Sequence, residues 1–354
     1  MKKHRLYSLP YNGESPNWYI EEVLKRKDFI DHVFCELPYM EMISHVRFLF
    51  NKIENNNIKD DSFSSNFNRA KYISNCIDFL RLSKGLFRRF CPINAMYYIF
   101  ESENQFDEFV SDVINIVDEF EIDGLILSEY RLALKIHMLR PNLEIHTSCN
   151  SYQWNLRQMK LWKDNIGVTY FNPPREILRN YSKLKEMHDA GFKLKCIVNE
   201  SCLYGCPNSF SHQMSISLNA FCFASCLQKD YADLFKSNWI LPRWQKHYDK
   251  YVDIYKIAGR NVPGNYPFFV LDAFIHERDD ICLLDLLISG TSAFYKMTLQ
   301  DNVLKKITLD KVPDKLVFCE CKDCEKCKLC NKILSSIILP ENCNLINMSI
   351  SKFK

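Results

Sequence analysis

Short apolar runs alternate with amphipathic stretches along most of this chain, and this alternation restricts the fold more than any other feature. Apolar runs rich in β-branched and aromatic residues are typical of strands, whereas apolar residues three or four apart indicate helices. We predict eight strands, over residues 5–10, 32–37, 93–100, 123–128, 142–148, 167–171, 193–199 and 252–257. We predict helices between them, over residues 15–24, 106–120, 152–163 and 176–190.

Eight strands separated by helices favour parallel pairing through right-handed crossovers, and a closed (β/α)8 TIM-type barrel uses all eight. An open doubly wound sheet is the alternative, but no glycine-rich phosphate loop follows the first strand. We therefore predict an α/β barrel over residues 1–309. The polar segment 51–69 is predicted to be a long loop or insertion. Residues 310–354, in which five cysteines fall within twelve residues, are predicted to form a small cysteine-rich, metal-binding appendage.

The cysteine content points to metal binding and not to disulfide bonds. The chain has 16 cysteines in 354 residues, but its first residues contain no apolar signal core, and no window is apolar enough to span a bilayer. We therefore expect a cytoplasmic protein with no membrane association, in which thiols stay reduced. With 46 basic against 43 acidic residues, the net charge of +3 does not by itself require a nucleic-acid partner.

Two cysteine pairs in the second half of the chain are the strongest chemical signal. Cys202 and Cys206 form one pair, Cys222 and Cys226 form the other, and fifteen residues separate them. Three intervening residues within each pair let two thiolates converge on one metal when the chain turns. The first pair follows the predicted strand 193–199, at the end where α/β folds keep their chemistry. A four-thiolate site of this kind indicates an iron–sulfur cluster or a zinc ion.

A second, denser group of thiols lies near the C-terminus, with spacings similar to those of ferredoxin ligands. We predict a second site, for zinc or another cluster, and leave Cys319 as the spare thiol. Its ligands would be Cys321, Cys324, Cys327 and Cys330. Cys35, near the end of the second strand, could replace one ligand of the first site, although an inert core thiol is the alternative.

Charged and polar side chains at other strand ends are candidates for substrate binding. Arg175 could clamp a carboxylate, and Glu176 could act as a general acid or base. The alternative is a helix-start glutamate beside a solvated arginine. Ser148 and Asn150, at the end of the fifth strand, could line the same pocket.

Lys256 and Arg260 bracket the end of the last strand. A lysine that points into a barrel needs a partner or a ligand, because an isolated buried charge is costly, and Arg260 could bind an anionic substrate. The alternative is a structural ion pair with Glu200 or Asp253.

Three more polar residues flank the first cysteine pair. Glu200 could carry a proton or act from the second layer around the metal, next to Asn199. His212 could donate to a substrate or replace a thiolate, although a lone histidine is more often a satisfied polar residue.

Three stretches together resemble the peptidase U32 family. The first is His146-Thr-Ser-Cys-Asn150 with the later Asn172-Pro-Pro-Arg-Glu176. The second is Asn199-Glu-Ser-Cys202 with its two cysteine pairs, and the third is Tyr255-Lys-Ile-Ala-Gly-Arg260, close to that family's Lys-Ile-Glu-Gly-Arg signature. The resemblance covers about residues 90 to 275.

The resemblance implies a TIM-type barrel that carries a [4Fe–4S] cluster on four cysteines. Several members of the family hydroxylate tRNA, ribosomal RNA or a quinone precursor without oxygen, with prephenate as the oxygen donor, and others are named peptidases or collagenases. This chain departs from the pattern, since Ala258 replaces the signature glutamate and the Cys202–Cys206 spacing is tight. The chain therefore resembles a divergent relative of that family.

Three functional classes follow. The first is a [4Fe–4S]-dependent, hydroxylase-like oxidoreductase that acts on a small anionic or RNA-derived substrate. The second is a peptidase or other hydrolase, but the sequence has neither a Gly-x-Ser-x-Gly elbow nor a His-Glu-x-x-His helix. The third is a non-catalytic iron–sulfur partner subunit. Radical chemistry on S-adenosylmethionine is disfavoured because Ser209 stands where a third cysteine is needed.

Overall fold

The structure is a computed structural model, and it describes residues 4–38, 69–217, 231–260, 262–287, 307–317, 319 and 323–337. The predicted insertion 51–69 lies almost entirely outside these residues. Cys222, Cys226 and Cys321 also lie outside them.

The fold is α/β and is built on a parallel seven-stranded sheet with the order β5-β4-β3-β2-β1-β7-β6. All pairs that hold the sheet together are parallel, in agreement with the predicted crossovers. The strands are β1 (Leu6–Pro10), β2 (Ile30–Phe34), β3 (Arg89–Ile93), β4 (Gly124–Leu127), β5 (Glu144–Thr147), β6 (Lys195–Ile197) and β7 (Ile254–Lys256).

The predicted sixth strand, 167–171, forms isolated bridges instead of a regular strand. Tyr170 bridges His146 of β5, and Phe171 bridges Leu194 beside β6, both in the parallel sense. Backbone hydrogen bonds of 2.8 Å join Phe171 to Lys193 and Lys195. Both edges of the seven-stranded sheet therefore contact the same short segment.

The predicted third strand, 93–100, was wrong in position. Strand β3 runs from Arg89 to Ile93, and the apolar residues after it contact the helix Glu103–Phe120, with the rings of Phe100 and Phe106 5.2 Å apart. The sequence argument missed the strand's start because Arg89 is charged. Its buried guanidinium donates to the carbonyls of Leu80 and Phe120, which satisfies the charge locally.

Helices cover the sheet, and local capping fixes where several of them begin. Ser102, Asn155 and Asn180 each accept a backbone N–H in the first turn of the following helix. The described α-helices are α1 (Pro16–Leu24), α2 (Arg69–Leu82), α3 (Glu103–Phe120), α4 (Tyr130–Leu139), α5 (Leu156–Ile166), α6 (Tyr181–Asp189), α7 (Ser209–Ser217), α8 (Gln245–Tyr248), α9 (Tyr266–Ile275), α10 (Leu283–Leu286), α11 (Cys324–Cys327) and α12 (Leu329–Ile337).

The predicted helix 176–190 is divided in the structure. Residues Arg175–Arg179 form a 3-10 helix, and Asn180 then caps a separate α-helix, α6. Ser15, directly before α1, makes no side-chain capping bond, so Pro16 is the signal that marks this start.

The two faces of the sheet differ in chemistry. Alternate strand residues such as Tyr7, Leu9 and Leu125 belong to the large apolar core shared with the helices. On the other face, only Phe34, Phe90 and Ile126 form a separate apolar cluster within the described residues. Polar side chains occupy much of the remaining inner face.

Four of these inner side chains, Ser8, His32, His146 and Lys195, form what we call the buried polar layer. The Lys195 Nζ atom lies 2.8 Å from His146 Nδ1 and 3.5 Å from His32 Nε2, and the Ser8 hydroxyl lies 2.8 Å from His32 Nε2. All four are fully buried. Lys195 is aligned with Ile254, two residues before Lys256, whereas Ser8 is aligned with Lys256 itself.

Carboxylates complete the buried polar layer. His32 Nδ1 lies 2.6 Å from Asp31, and His146 Nε2 lies 2.8 Å from Glu144. Since a carboxylate only accepts, each imidazole donates to its carboxylate and accepts from Lys195 through its other nitrogen. Burial and the neighbouring Lys195 lower the pKa of His32 to about 3, and the same causes lower that of His146. Both rings are therefore neutral.

The described part of the C-terminal region packs on the body of the fold. Leu309, Leu316 and Ile333 are buried in the large core. Arg179 donates to the carbonyl of Leu316 at 3.1 Å and to that of Phe235 at 2.9 Å, joining this region to the body. No described helix combines the length and apolarity needed to cross a bilayer.

Candidate functional site

The candidate site lies at the carboxyl edge of the sheet, where the chain leaves β3 to β7. Cys202 and Cys206 lie on one turn that follows β6, and both are partly exposed thiols outside any disulfide bond. Gly205, with a φ of 65°, allows the left-handed step between them. The turn precedes α7, and Asn238 fixes its start by donating twice to the carbonyl of Cys202. The prediction that the first pair lies on a turn beyond a strand therefore agrees with the fold.

Arg175 and Glu200 form a buried ion pair beside this turn. Arg175 Nε donates to Glu200 at 3.0 Å, and its Nη1 donates to the amide oxygen of Asn150 at 3.1 Å. The other oxygen of Glu200 accepts from the backbone N–H of Cys202 at 3.3 Å. Burial opposes the charge on Arg175, but the neighbouring Cys149, Glu200 and Cys202 raise its pKa overall. One guanidinium thus connects the ends of three strand segments to the cysteine turn.

His212, on the exposed side of α7, is close enough to this pair for its pKa to respond. Partial desolvation and the positive charge of Arg175 lower the pKa of His212, and Glu200 opposes the change. The ring is therefore neutral near pH 7 and can accept a proton from the edge of the site.

Lys256 ends β7 and is 7% exposed, with its ammonium 4.6 Å from the centre of the Phe34 ring. Among the described residues, no carboxylate forms an ion pair with it. Burial lowers the pKa of Lys256 to about 8, and the nearby Arg260 and Arg175 act in the same direction, while Cys149 opposes them. This is a cation held at the mouth of the sheet without a compensating charge.

Arg260 instead pairs with Glu36, which is buried at the end of β2. The alternative interpretation of Lys256 and Arg260 as partners of Glu200 or Asp253 is therefore wrong. Glu200 is bound to Arg175, and Asp253 accepts from the backbone of Leu194 at 2.8 Å.

Several buried polar atoms at this edge have no hydrogen-bond partner within the described residues. They include Asn94 Oδ1 directly after β3, the Ser128 hydroxyl directly after β4, and both amide atoms of Asn172 after the bridge at Phe171. Asn172 is 1% exposed. Because buried polar groups are nearly always paired, three orphans at successive strand ends indicate a place for a polar ligand. Sequence reasoning missed these roles, although each is the first polar residue after an apolar run.

A groove of about 710 Å³ lies next to the cysteine turn. Its walls include Cys206 and Glu176, together with the aromatic rings of Tyr152, Trp154 and Phe210. The groove gives a ligand access to Cys206 from the solvent. Glu176 therefore faces this groove, separately from Arg175, which faces Glu200.

The remaining predicted residues have other roles. Asn199 bonds both the N–H and the carbonyl of Ala258, which joins the ends of β6 and β7. Cys35 is fully buried in the core beside Cys76 and Cys91, and burial raises the pKa of its thiol. The Ser148 hydroxyl accepts from the Asn150 backbone at 3.3 Å and shapes the turn that presents Asn150 to Arg175.

The structure describes only some of the predicted metal ligands. Cys222 and Cys226, half of the first predicted set, and Cys321 of the second lie outside the described residues. Within the part of the chain that is described, no three histidine, cysteine or acidic side chains converge as a metal site. In the tail, burial raises the pKa of Cys330 to about 11, and Cys319 and Cys324 are close enough to add to the shift, while Cys327 is exposed.

Comparison with known proteins gives consistent matches. Residues 62–204 match the model of peptidase family U32. A protein of Methanocaldococcus jannaschii named as an uncharacterised protease is 28% identical over 239 residues, which are 64% of this chain and 69% of that protein. The solved structure of the U32 peptidase Mk0906 aligns with 73% of this chain and 95% of its own, at a TM-score of 0.48 and 9% identity. Over residues 62–204, this chain is therefore similar to the peptidase U32 family, and its identity to the archaeal protein is low.

Proposed function

We propose that this chain is an iron–sulfur enzyme that modifies a small anionic or RNA-derived substrate by oxygen-independent, hydroxylation-type redox chemistry. The observation that carries the proposal is the position of Cys202 and Cys206 on one turn beside the buried Arg175–Glu200 pair. Two thiols with three residues between them fit half of the donor set of a [4Fe–4S] cluster. Cys222 and Cys226 would supply the other half, and the bound cluster would supply electron transfer.

The chain's own residues would bind and orient the substrate. Lys256 and Arg260 give this edge its positive charge, and the unpaired atoms of Asn172 offer one donor and one acceptor. Glu200 accepts from the backbone N–H of Cys202 and also neutralises Arg175. Substrate binding at Arg175 would therefore change a contact of the cysteine turn. His212 could exchange a proton with solvent at the outer side.

A closed (β/α)8 barrel is the architecture we propose for this site. The parallel bridges His146–Tyr170 and Phe171–Leu194 support closure, because they connect both sheet edges to one segment. Closure would make the carboxyl edge a pocket that restricts water, which strengthens the charge interactions within it.

A peptidase, as the archaeal relative is named, is the competing function, and a non-catalytic iron–sulfur subunit is a third. A peptidase would require an activated nucleophile or a metal-bound water. The tail site on Cys321, Cys324, Cys327 and Cys330 remains part of the proposal, for zinc or a second cluster.

The test is anaerobic purification of the full chain with iron, sulfide and zinc counted per chain and the visible spectrum recorded. We expect about four irons and four sulfides at the first site, with a broad visible band. The Cys202→Ala/Cys206→Ala variant should lose this iron and the band. The matched control, Cys282→Ala, removes a partly exposed thiol outside both predicted sites and should keep them. Zinc as the only metal, without colour after reconstitution, would contradict the proposal and favour a hydrolase.

A further inference from the structure

Lys256 is the feature of the site that iron–sulfur chemistry leaves without a role. Its side chain is 7% exposed, and its ammonium contacts the face of Phe34 with no carboxylate partner in the described residues. A buried lysine in this situation costs stability, since its charge is neither hydrated nor paired. Such a position is typical of lysines that act as amines and not as point charges.

The second buried lysine on the same face provides an internal comparison. Lys195 is fully enclosed, and its Nζ lies 2.8 Å from His146 and 3.5 Å from His32. Its lone pair and protons are therefore engaged by the protein. Lys256 lies two residues nearer than Lys195 to the carboxyl edge of the sheet and keeps 7% of its surface exposed.

The surroundings of Lys256 favour an unprotonated amine that can react. Burial, helped by Arg260 and Arg175 and opposed by Cys149, lowers the pKa of Lys256 to about 8. Glu36 is engaged by Arg260 and Glu200 by Arg175. An amine attacks a carbonyl carbon only in its neutral form, and a substantial fraction of Lys256 is neutral at pH 8.

The same edge can recognise a small ligand with a carbonyl and an acidic group. Arg175 is bonded through Nε and Nη1, and Arg260 through Nη1, so the Nη2 group of each, which has no partner in the described residues, can donate to a carboxylate. The unpaired amide of Asn172 and hydroxyl of Ser128 can bond a carbonyl or hydroxyl oxygen. Glu200 and Glu36 balance Arg175 and Arg260, so the one excess positive charge among the described groups is that of protonated Lys256, which attracts a monoanion before the amine loses its proton.

We propose that Lys256 binds an anionic aldehyde or ketone covalently, as an imine, at the carboxyl edge of the sheet. The Nζ lone pair forms a bond to the carbonyl carbon, and the carbonyl oxygen takes up the two amine protons and leaves as water. Addition of water reverses the step, so no oxidant or reductant is needed. The inference rests on the proposed function only for the anion-binding character of this edge.

Reductive trapping tests the proposal on the full chain. The protein is incubated with pyruvate at pH 8, reduced with borohydride, digested and mapped by mass spectrometry. We expect the mass of a reduced pyruvyl imine on Lys256 at roughly tenfold higher occupancy than on the exposed Lys84 and Lys185. Acetone, a ketone without the carboxylate, should label Lys256 no more than the exposed lysines.

Variants separate this proposal from that of the iron–sulfur site. Lys256→Arg should lose the selective label, and Cys202→Ala/Cys206→Ala should keep it, because trapping does not require iron. Lys195 provides a control within the wild-type digest and should stay unlabelled. If Lys256 is unmodified at saturating pyruvate while exposed lysines react, or is labelled no more than Lys195, the imine proposal is wrong.

Discussion

Two polar regions lie on the inner face of one sheet, and they differ in whether their polar atoms have partners. In the buried polar layer, Lys195 and His146 lie 2.8 Å apart, and His32 is bonded by both Ser8 and Asp31. At the carboxyl edge, Lys256 has no anionic partner among the described residues, and Asn172 leaves both amide atoms unpaired.

The difference separates a structural role from a binding role. A paired buried group contributes modestly to stability, whereas an unpaired one costs about 1–3 kcal/mol. The buried polar layer is therefore expected to be sensitive to mutation in stability measurements. Removal of an orphan group at the edge is expected to keep or raise the free energy of unfolding and to weaken ligand binding.

The largest loss of stability is expected at Arg175, which lies at the edge that would bind a ligand but forms a buried ion pair. Arg175→Gln leaves Glu200 buried without its counter-charge, so the free energy of unfolding should fall by about 3 kcal/mol or more. Chemical denaturation measures the change. The added substitution Glu200→Gln should restore part of the loss.

Arg140→Gln is the control for Arg175, because it breaks an exposed pair with Asp118 and should change the unfolding free energy by no more than about 1 kcal/mol. Equal, small losses in both variants would mean that the Arg175–Glu200 pair does not hold the edge together.

The buried polar layer should make the protein sensitive to acid. The pKa of His32 is about 3 in the fold, below the ordinary 6.5, so the unfolded chain binds more protons between these values. Stability should therefore fall as the pH drops below 6.5, by about 1.4 kcal/mol per pH unit for each such histidine. Denaturant midpoints measured from pH 7.5 to 5 provide the test.

The pKa of His146 is shifted in the same direction, so His146→Gln should lower the pH slope. His188→Gln, on the surface helix α6, should leave it unchanged. An equal slope in wild type and His146→Gln would contradict the assignment of a neutral ring there.

The smallest effect compares two buried serines. Ser8→Ala removes a 2.8 Å bond to His32 and should cost about 1 kcal/mol of unfolding free energy. Ser128→Ala removes a hydroxyl without a described partner and should leave the unfolding free energy unchanged or raise it. If Ser128→Ala lowers the unfolding free energy as much as Ser8→Ala, the polar groups of the edge are as fully paired as those of the buried polar layer.

Much of the fold follows from apolar periodicity, and the exceptions have physical causes. The strands around Ser8, His32 and His146 were found because their flanking residues are apolar. The start of β3 was missed because buried Arg89 satisfies its charge on backbone carbonyls, which a hydropathy pattern cannot indicate. The break before α6 depends on the capping bond of Asn180.

The types of residue at the site could be predicted from the sequence, but the partner that each residue binds could not. Arg175, Glu200 and Lys256 were identified by their positions after strands, yet the partner of each depends on the sheet order, which only the fold fixes. Asn172 and Ser128 were missed because an unpaired polar atom is a property of three-dimensional contacts.

The central claim is that groups without partners at the carboxyl edge lower the stability of the fold and serve to bind a ligand. Lys256→Met tests this claim most directly. The pKa of Lys256 falls from 10.5 to about 8 on folding, so the buried charge costs about 3 kcal/mol at pH 7. We predict that Lys256→Met raises the free energy of unfolding by about this amount at pH 7. The gain should shrink as the pH rises from 8 to 10.5, where the unfolded lysine also loses its proton. A variant less stable than wild type at pH 7 would contradict the account, because Lys256 would then be a structural group.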